Sequence, residues 1–286
     1  MNPLSVSSNS RPSRWRQPSW WLLVISAAVL PLFIFGWALV LSSQPAKAAP
    51  VAQTGWQLVW SDEFNGTSVD TTKWHVWNAH SNINSEPEYY TPNNVSESGG
   101  NLVIVTKKND FIPGATEGYT SGRLETYCGY APDGCTPAGY LYGITYGKIE
   151  VRGKMAAGDG VWPAYWLAAP DDWPPEIDIN GWLGKWPTVY HYGYFQMKDG
   201  SGNWGASGWY YPFDPEQGQT CSGTCPDLSQ GFHTYGVEWT VGQLVYFFDG
   251  VPIRTVSDSR VSSKKMFFII NTALAALPCQ WAGCPA

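Results

Sequence analysis

Read for the alternation of apolar and polar side chains, residues 49–286 break into short runs separated by Gly, Pro, Asn and Asp. The runs at 56–60, 101–106, 146–152, 161–167, 176–180, 188–195, 233–239, 244–248 and 266–271 have the period-two or continuously apolar pattern of half-buried and buried strands. No comparable helical spacing occurs beside them. Val241-Gly242 and Asp249-Gly250 stand between three of the runs, so 235–255 is predicted as a three-stranded meander closed by tight turns. Short strands at this spacing build a sandwich or jelly roll. The Gly-, Ser- and Asn-rich stretch 199–224 is predicted as long surface loops, the usual place for binding at a sandwich rim.

Composition sharpens the all-β reading. The chain has 17 Trp, 30 Gly and 22 Pro in 286 residues, with 44% hydrophobic and only 14% charged residues, which disfavours both disorder and a helical bundle. The first 48 residues belong outside the fold: Arg11, Arg14 and Arg16 precede an apolar run from Trp21 to Leu41, and Ala46-Lys47-Ala48 has the small residues of a cleavage site. They are expected to act as a signal peptide or, since the run is long, as an uncleaved N-terminal membrane anchor. Either way residues 49–286 are expected outside the membrane, secreted or anchored to its outer face, as one domain and a monomer.

Without Arg11, Arg14, Arg16 and Lys47 the 17 basic residues fall to 13 against 23 acidic ones, and a nucleic-acid partner is disfavoured because phosphate binding needs a basic face. The six Cys lie in three local pairs, 128 with 135, 221 with 225, and 279 with 284, read as loop-stapling disulfides in an oxidising compartment. Other connectivities are open from sequence, and zinc is the competing reading.

The candidate chemistry lies in WPPEIDINGWLG, residues 173–184. On a regular strand Glu176, Asp178 and Asn180 share one face while Ile177 and Ile179 share the other. A solvated polar face is the plain alternative. Trp162, Trp166, Trp173, Trp182 and Trp186 surround the acids in sequence, and rigid aromatic faces beside carboxylates suit sugar rings, although strand parity must send some of these indoles into the core.

The segments LVWSDEFNG, NNVSESGGNLVIVTKK, YTSGRLETY, YGKIEVRGKMAAGDGVWPAYWL, WPPEIDI, HYGYF, FHTYGVEWTVGQLVYFFDGVPIRTV and MFFIINTAL, running in order through residues 56–275, resemble the glycoside hydrolases of family 16, the laminarinases and lichenases. The resemblance implies a concanavalin-like β-jelly-roll sandwich of two antiparallel sheets with a concave glycan-binding cleft. It also implies retaining cleavage inside β-glucan, in which one carboxyl attacks the anomeric carbon and a second, about 5 Å away, protonates the leaving oxygen. Glu176 occupies the nucleophile position, and Asp178 matches the middle aspartate that tunes its neighbours. By the same resemblance Trp162 and Trp173 are stacking residues and Arg123 lies near the glucosyl-binding subsites, with Glu125 on its strand face. Glu63 is assigned to sheet closure or a structural calcium site, and no cofactor is required. WPPEIDI and GDGVWPAYW favour β-1,3-glucan, with mixed β-1,3-1,4-glucan and galactans as alternatives.

The chain departs from the pattern twice. The acid/base carboxyl is expected at 180 on a regular strand, or at 181 where a bulge returns the extra residue to the same face; here these are Asn180 and Gly181. Neither delivers a proton. The readings are an impaired glucanase, a β-glucan-binding protein, a substituted residue at 181, or a donor recruited elsewhere, for which His191 is named, although as a substrate-binding cleft residue or a core histidine it has a plainer role. Beyond MFFIINTAL, where family members carry a closing strand, about a dozen residues follow.

Overall fold

The computed structural model describes residues 55–81, 83–110, 112, 118–130, 132–211 and 227–275. Residues 1–48, expected to be a signal peptide or anchor, and the cysteines at 221, 225, 279 and 284 lie outside them. Apart from a 3-10 turn at Pro92–Asn94, the described elements are strands.

A seven-stranded antiparallel sheet carries, in spatial order, His75–Val76, Arg123–Glu125, Phe267–Leu274, Val161–Ala168, Glu176–Gly181, Tyr190–Phe195 and Ala206–Tyr211. Facing it is a four-stranded antiparallel sheet of Gly147–Gly153, His233–Thr240, Gln243–Phe248 and Val251–Ser257. Leu124, Ile177, Ile179, Tyr190 and Tyr192 from the first sheet and Tyr235, Val237, Trp239, Leu244 and Tyr246 from the second form one buried core. Each fully buried aliphatic side chain there contributes roughly 1.5–3 kcal/mol. This is the expected all-β jelly-roll sandwich. A smaller sheet adds a parallel pair, Glu88–Tyr90 with Tyr119–Ser121, over one margin.

The meander of 235–255 forms as predicted. Asp249 and Gly250 both have positive φ, 48° and 77°, the backbone that a two-residue hairpin turn requires. Cys128 and Cys135 are bonded, and none of the described cysteines is free.

Two expectations are corrected. Residues 56–60 form no strand, and Leu58 and Val59 are 65% and 73% exposed, because a strand-like composition needs a hydrogen-bonding neighbour and none pairs with it among the described residues. Conversely, the start of the 199–224 stretch contains the edge strand Ala206–Tyr211, which pairs along its length with Tyr190–Phe195.

Candidate active site

The Glu176–Gly181 strand lies in the middle of the larger sheet, and its register decides which side chains meet. Glu176 stands opposite Ala168 and Asp178 opposite Trp166, while Ile177 and Ile179 enter the core. After Asp178 the register shifts: Asn180 pairs with Tyr165 and Gly181 with Ala164, leaving Ile179 as the extra residue of a bulge. Asn180 therefore does not share the face of Glu176 and Asp178, as strict alternation predicts. It turns inward, fully buried, with its Nδ2 3.5 Å from the Met155 sulfur. Gly181 takes the outer face instead, on the side of Trp162 and Trp166.

The two carboxyls form a coupled pair. Burial, then repulsion from Glu176, holds the Asp178 carboxyl well above the ordinary aspartate range. Burial also pushes Glu176 up, but the Trp173 indole, a hydrogen bond from Asp178 and the Arg123 charge pull it back. Both carboxyls stay above their ordinary ranges, Asp178 the further of the two, so Asp178 is the group of the pair that holds a proton more readily. Trp173 Nε1 donates to Glu176 Oε2 at 2.8 Å and fixes its direction.

Arg123 lies toward the other margin of the sheet. It is 1% exposed, with its guanidinium 4.0 Å from the Trp77 ring centroid, 5.1 Å from Trp166 and 5.7 Å from Tyr130. Its NH2 donates to Glu125 Oε2 at 3.3 Å. Burial raises the Glu125 carboxyl to about 7 against the pull of Arg123. Asn271 ties the group together: Trp166 Nε1 donates to its Oδ1 at 2.9 Å, and its Nδ2 donates to the Tyr90 hydroxyl at 3.1 Å. Arg123 packs against these aromatic rings and adds positive field at Glu176.

At the opposite end of the strand Gly181 leaves room. A Cβ built on it meets the His191 Nδ1 at 3.5 Å and the Trp162 Nε1 at 3.9 Å, ordinary contact distances, and its backbone is not in the left-handed region. The opposing register places Gly181 four residues from Glu176 along the neighbouring strand, about 13 Å at roughly 3.3 Å per residue. Two glutamate side chains reaching toward each other would close that span to the ~5 Å of a retaining pair. The His191 Nδ1 lies 3.1 Å from the Gly181 carbonyl oxygen, which only accepts, so Nδ1 carries the hydrogen. Burial lowers the His191 pKa, so the ring is neutral near pH 7 and its Nε2 is an acceptor.

Trp162 and Trp166 are half-buried on the outer face and Trp173 is largely exposed at its end, whereas Trp182 belongs to the core. Sequence reasoning missed Trp77, Tyr130, Asn271 and Trp204. Asn271 sits in the quoted MFFIINTAL segment and alternation could have placed it; the other three lie on loops with no periodic signal. No group of three or more His, Cys, Asp or Glu side chains suited to a metal occurs among the described residues. A cavity of about 670 Å³ at the outer side of His75–Val76, lined by Thr67, Trp74, Val95 and Leu141 among others, contains none of the acids discussed.

Comparison with known proteins identifies the family and the fold. The family model for glycosyl hydrolases family 16 matches residues 135–283. An endo-1,3-1,4-beta-glycanase of Rhizobium meliloti is 29% identical over 224 residues, 76% of this chain and 41% of that protein. A beta-1,3-glucan-binding protein of Penaeus monodon is 28% identical over 153 residues, 48% of this chain and 35% of that one. The chain thus spans less than half the length of either relative. The laminarinase catalytic domain of Thermotoga maritima superposes with a TM-score of 0.64 at 27% identity, covering 81% of this chain and 91% of that domain.

Proposed function

The chain belongs to the glycosyl hydrolases of family 16, and from that premise we propose that it binds β-glucan, β-1,3 or mixed β-1,3-1,4, across the outer face of the larger sheet and cleaves internal bonds by a retaining mechanism that lacks its proton donor. The observation that carries this reading is Gly181, facing the cleft with room for a side chain it does not have.

In the first step the Glu176 carboxylate attacks the anomeric carbon, the glycosidic C–O bond breaks, and the departing sugar leaves with the bonding electrons on its oxygen. Asp178, as the group of the pair that holds a proton more readily, leaves Glu176 the charged one for that attack. The leaving oxygen needs a proton that neither Gly181 nor neutral His191 supplies, so it departs as an alkoxide protonated by solvent. Water then attacks the glycosyl ester without a general base. Loss of such help costs about 10²–10⁴ in rate. Residues 1–48 support placing this activity outside the membrane.

The emptied position also favours a second reading, a non-hydrolytic β-glucan-binding protein, and one relative carries a glucan-binding name. Chromatography of oligosaccharides released from laminarin separates the two. Slow release by the native chain, lost in Glu176→Gln, supports the impaired hydrolase. Binding without release by the native chain, with release restored in Gly181→Glu, supports the binder. Absence of laminarin binding in all three chains would overturn both.

A further inference from the structure

At the nucleophile end of the cleft, away from Gly181, three aromatic rings meet that the catalytic reading does not use as a group. Trp173, Phe195 and Trp204 have ring centroids 5.3 Å (Trp173–Phe195), 5.3 Å (Trp173–Trp204) and 5.8 Å (Phe195–Trp204) apart. Phe195 pairs directly with Glu176, so its side chain shares the carboxylate's face, and Trp204 precedes the edge strand whose Ala206 pairs with Phe195. Trp173 and Trp204 are 43% and 44% exposed. Two large indoles left in water side by side are costly unless something covers them.

The platform is held in shape by the two loops that carry it. Lys198 Nζ donates to Asp172 Oδ1 at 2.6 Å, linking the Trp204 loop to the residue before Trp173, and Lys264 Nζ reaches the other oxygen of Asp172 at 3.2 Å. Within the Trp204 loop, Ser201 N and Asn203 N donate to Asp199 Oδ1 at 2.8 and 2.9 Å, and Gln196 N donates to Gly205 O at 2.8 Å. A ligand stacking there orders little that is not already ordered, which lowers the cost of binding.

We propose that Trp204, with Trp173 and Phe195, forms a stacking subsite for a glucosyl ring of a β-linked glucan, extending the cleft past the nucleophile toward the Ala206–Tyr211 edge. The pyranose C–H face matches an exposed indole, and the 2.8 Å bond from Trp173 to Glu176 makes the platform continuous with the reacting centre. The subsite rests on the β-glucan reading and predicts that affinity grows with chain length until the platform is covered.

The test is calorimetric titration of the native chain, Trp204→Ala and Trp204→Phe with laminari-oligosaccharides from the disaccharide to the heptasaccharide. The expected result is equal affinity for the shortest ligand that binds, a loss of roughly tenfold in Trp204→Ala for the longest, and recovery in Trp204→Phe. If Trp204→Ala matches the native chain at every length, or loses the same factor at every length, the subsite is overturned while the β-glucan reading stands. If the native chain binds no length, that reading fails and the subsite with it.

Discussion

The two halves of the Glu176–Gly181 strand are furnished very differently while sharing one backbone. The first half is crowded with support: Trp173 donates to Glu176, Asp178 is held well above the ordinary aspartate range beside it, and buried Arg123 adds its field. The second half has a bulge that brings a residue to the right face and then no side chain to use it; Asn180 turns into the core and Gly181 faces the cleft empty. On the proposed reading, nucleophile geometry and proton delivery are separable parts of a retaining site.

The largest expected effect comes from filling the empty half. Gly181→Glu should raise product release from laminarin by about 10²–10⁴ over the native chain, read by chromatography. Gly181→Gln, with the same bulk and no acid, should give no gain; equal gains from both would show that packing beside His191 and Trp162, rather than proton transfer, had been limiting.

A smaller effect tests the support of the intact half. Glu125 titrates at about 7 in the folded protein against an ordinary 4.5, so the folded state holds its proton more tightly than the unfolded chain. The stability this contributes is fully present below pH 4.5 and is lost as pH rises through about 7. Glu125→Gln has no such proton. Its unfolding free energy relative to the native chain should rise by about 3 kcal/mol between pH 4.5 and 7.5, measured by urea denaturation across that range. A flat difference would mean that Arg123 keeps Glu125 ionised in the fold.

The smallest effect is expected at Asn180. Because it faces Met155 and not the cleft, Asn180→Ala should leave laminarin binding and cleavage within about twofold of the native chain, with its cost confined to stability, about 1–3 kcal/mol. A large loss of binding would return residue 180 to the cleft face.

Much of this was legible in the sequence, and the limits have physical causes. Ile177 and Ile179 mark the core side of the acidic strand by alternation, and Asp249-Gly250 marks a hairpin because both residues tolerate positive φ. The bulge that brings residue 181 to the outer face was one of two alternatives in the sequence, and the choice stayed open because a bulge is a mismatch of counts between two strands and one strand alone holds half of the count. Residues 56–60 misled for a related reason: their side chains suit a strand, but a ladder needs a neighbour. The family motifs located Arg123, yet its burial under Trp77 and Tyr130 depends on loops that carry no periodicity. Trp204 left no signal beyond being an aromatic residue in a polar stretch.

The most direct test of a working nucleophile without a proton donor is stopped-flow release of dinitrophenolate from 2,4-dinitrophenyl β-laminaribioside, a leaving group that departs unprotonated. The account predicts a burst of about one equivalent per native chain, absent in Glu176→Gln, with the burst rate of Gly181→Glu nearly the same. No burst from the native chain, with a burst restored only in Gly181→Glu, would contradict the claim that the nucleophile half is intact.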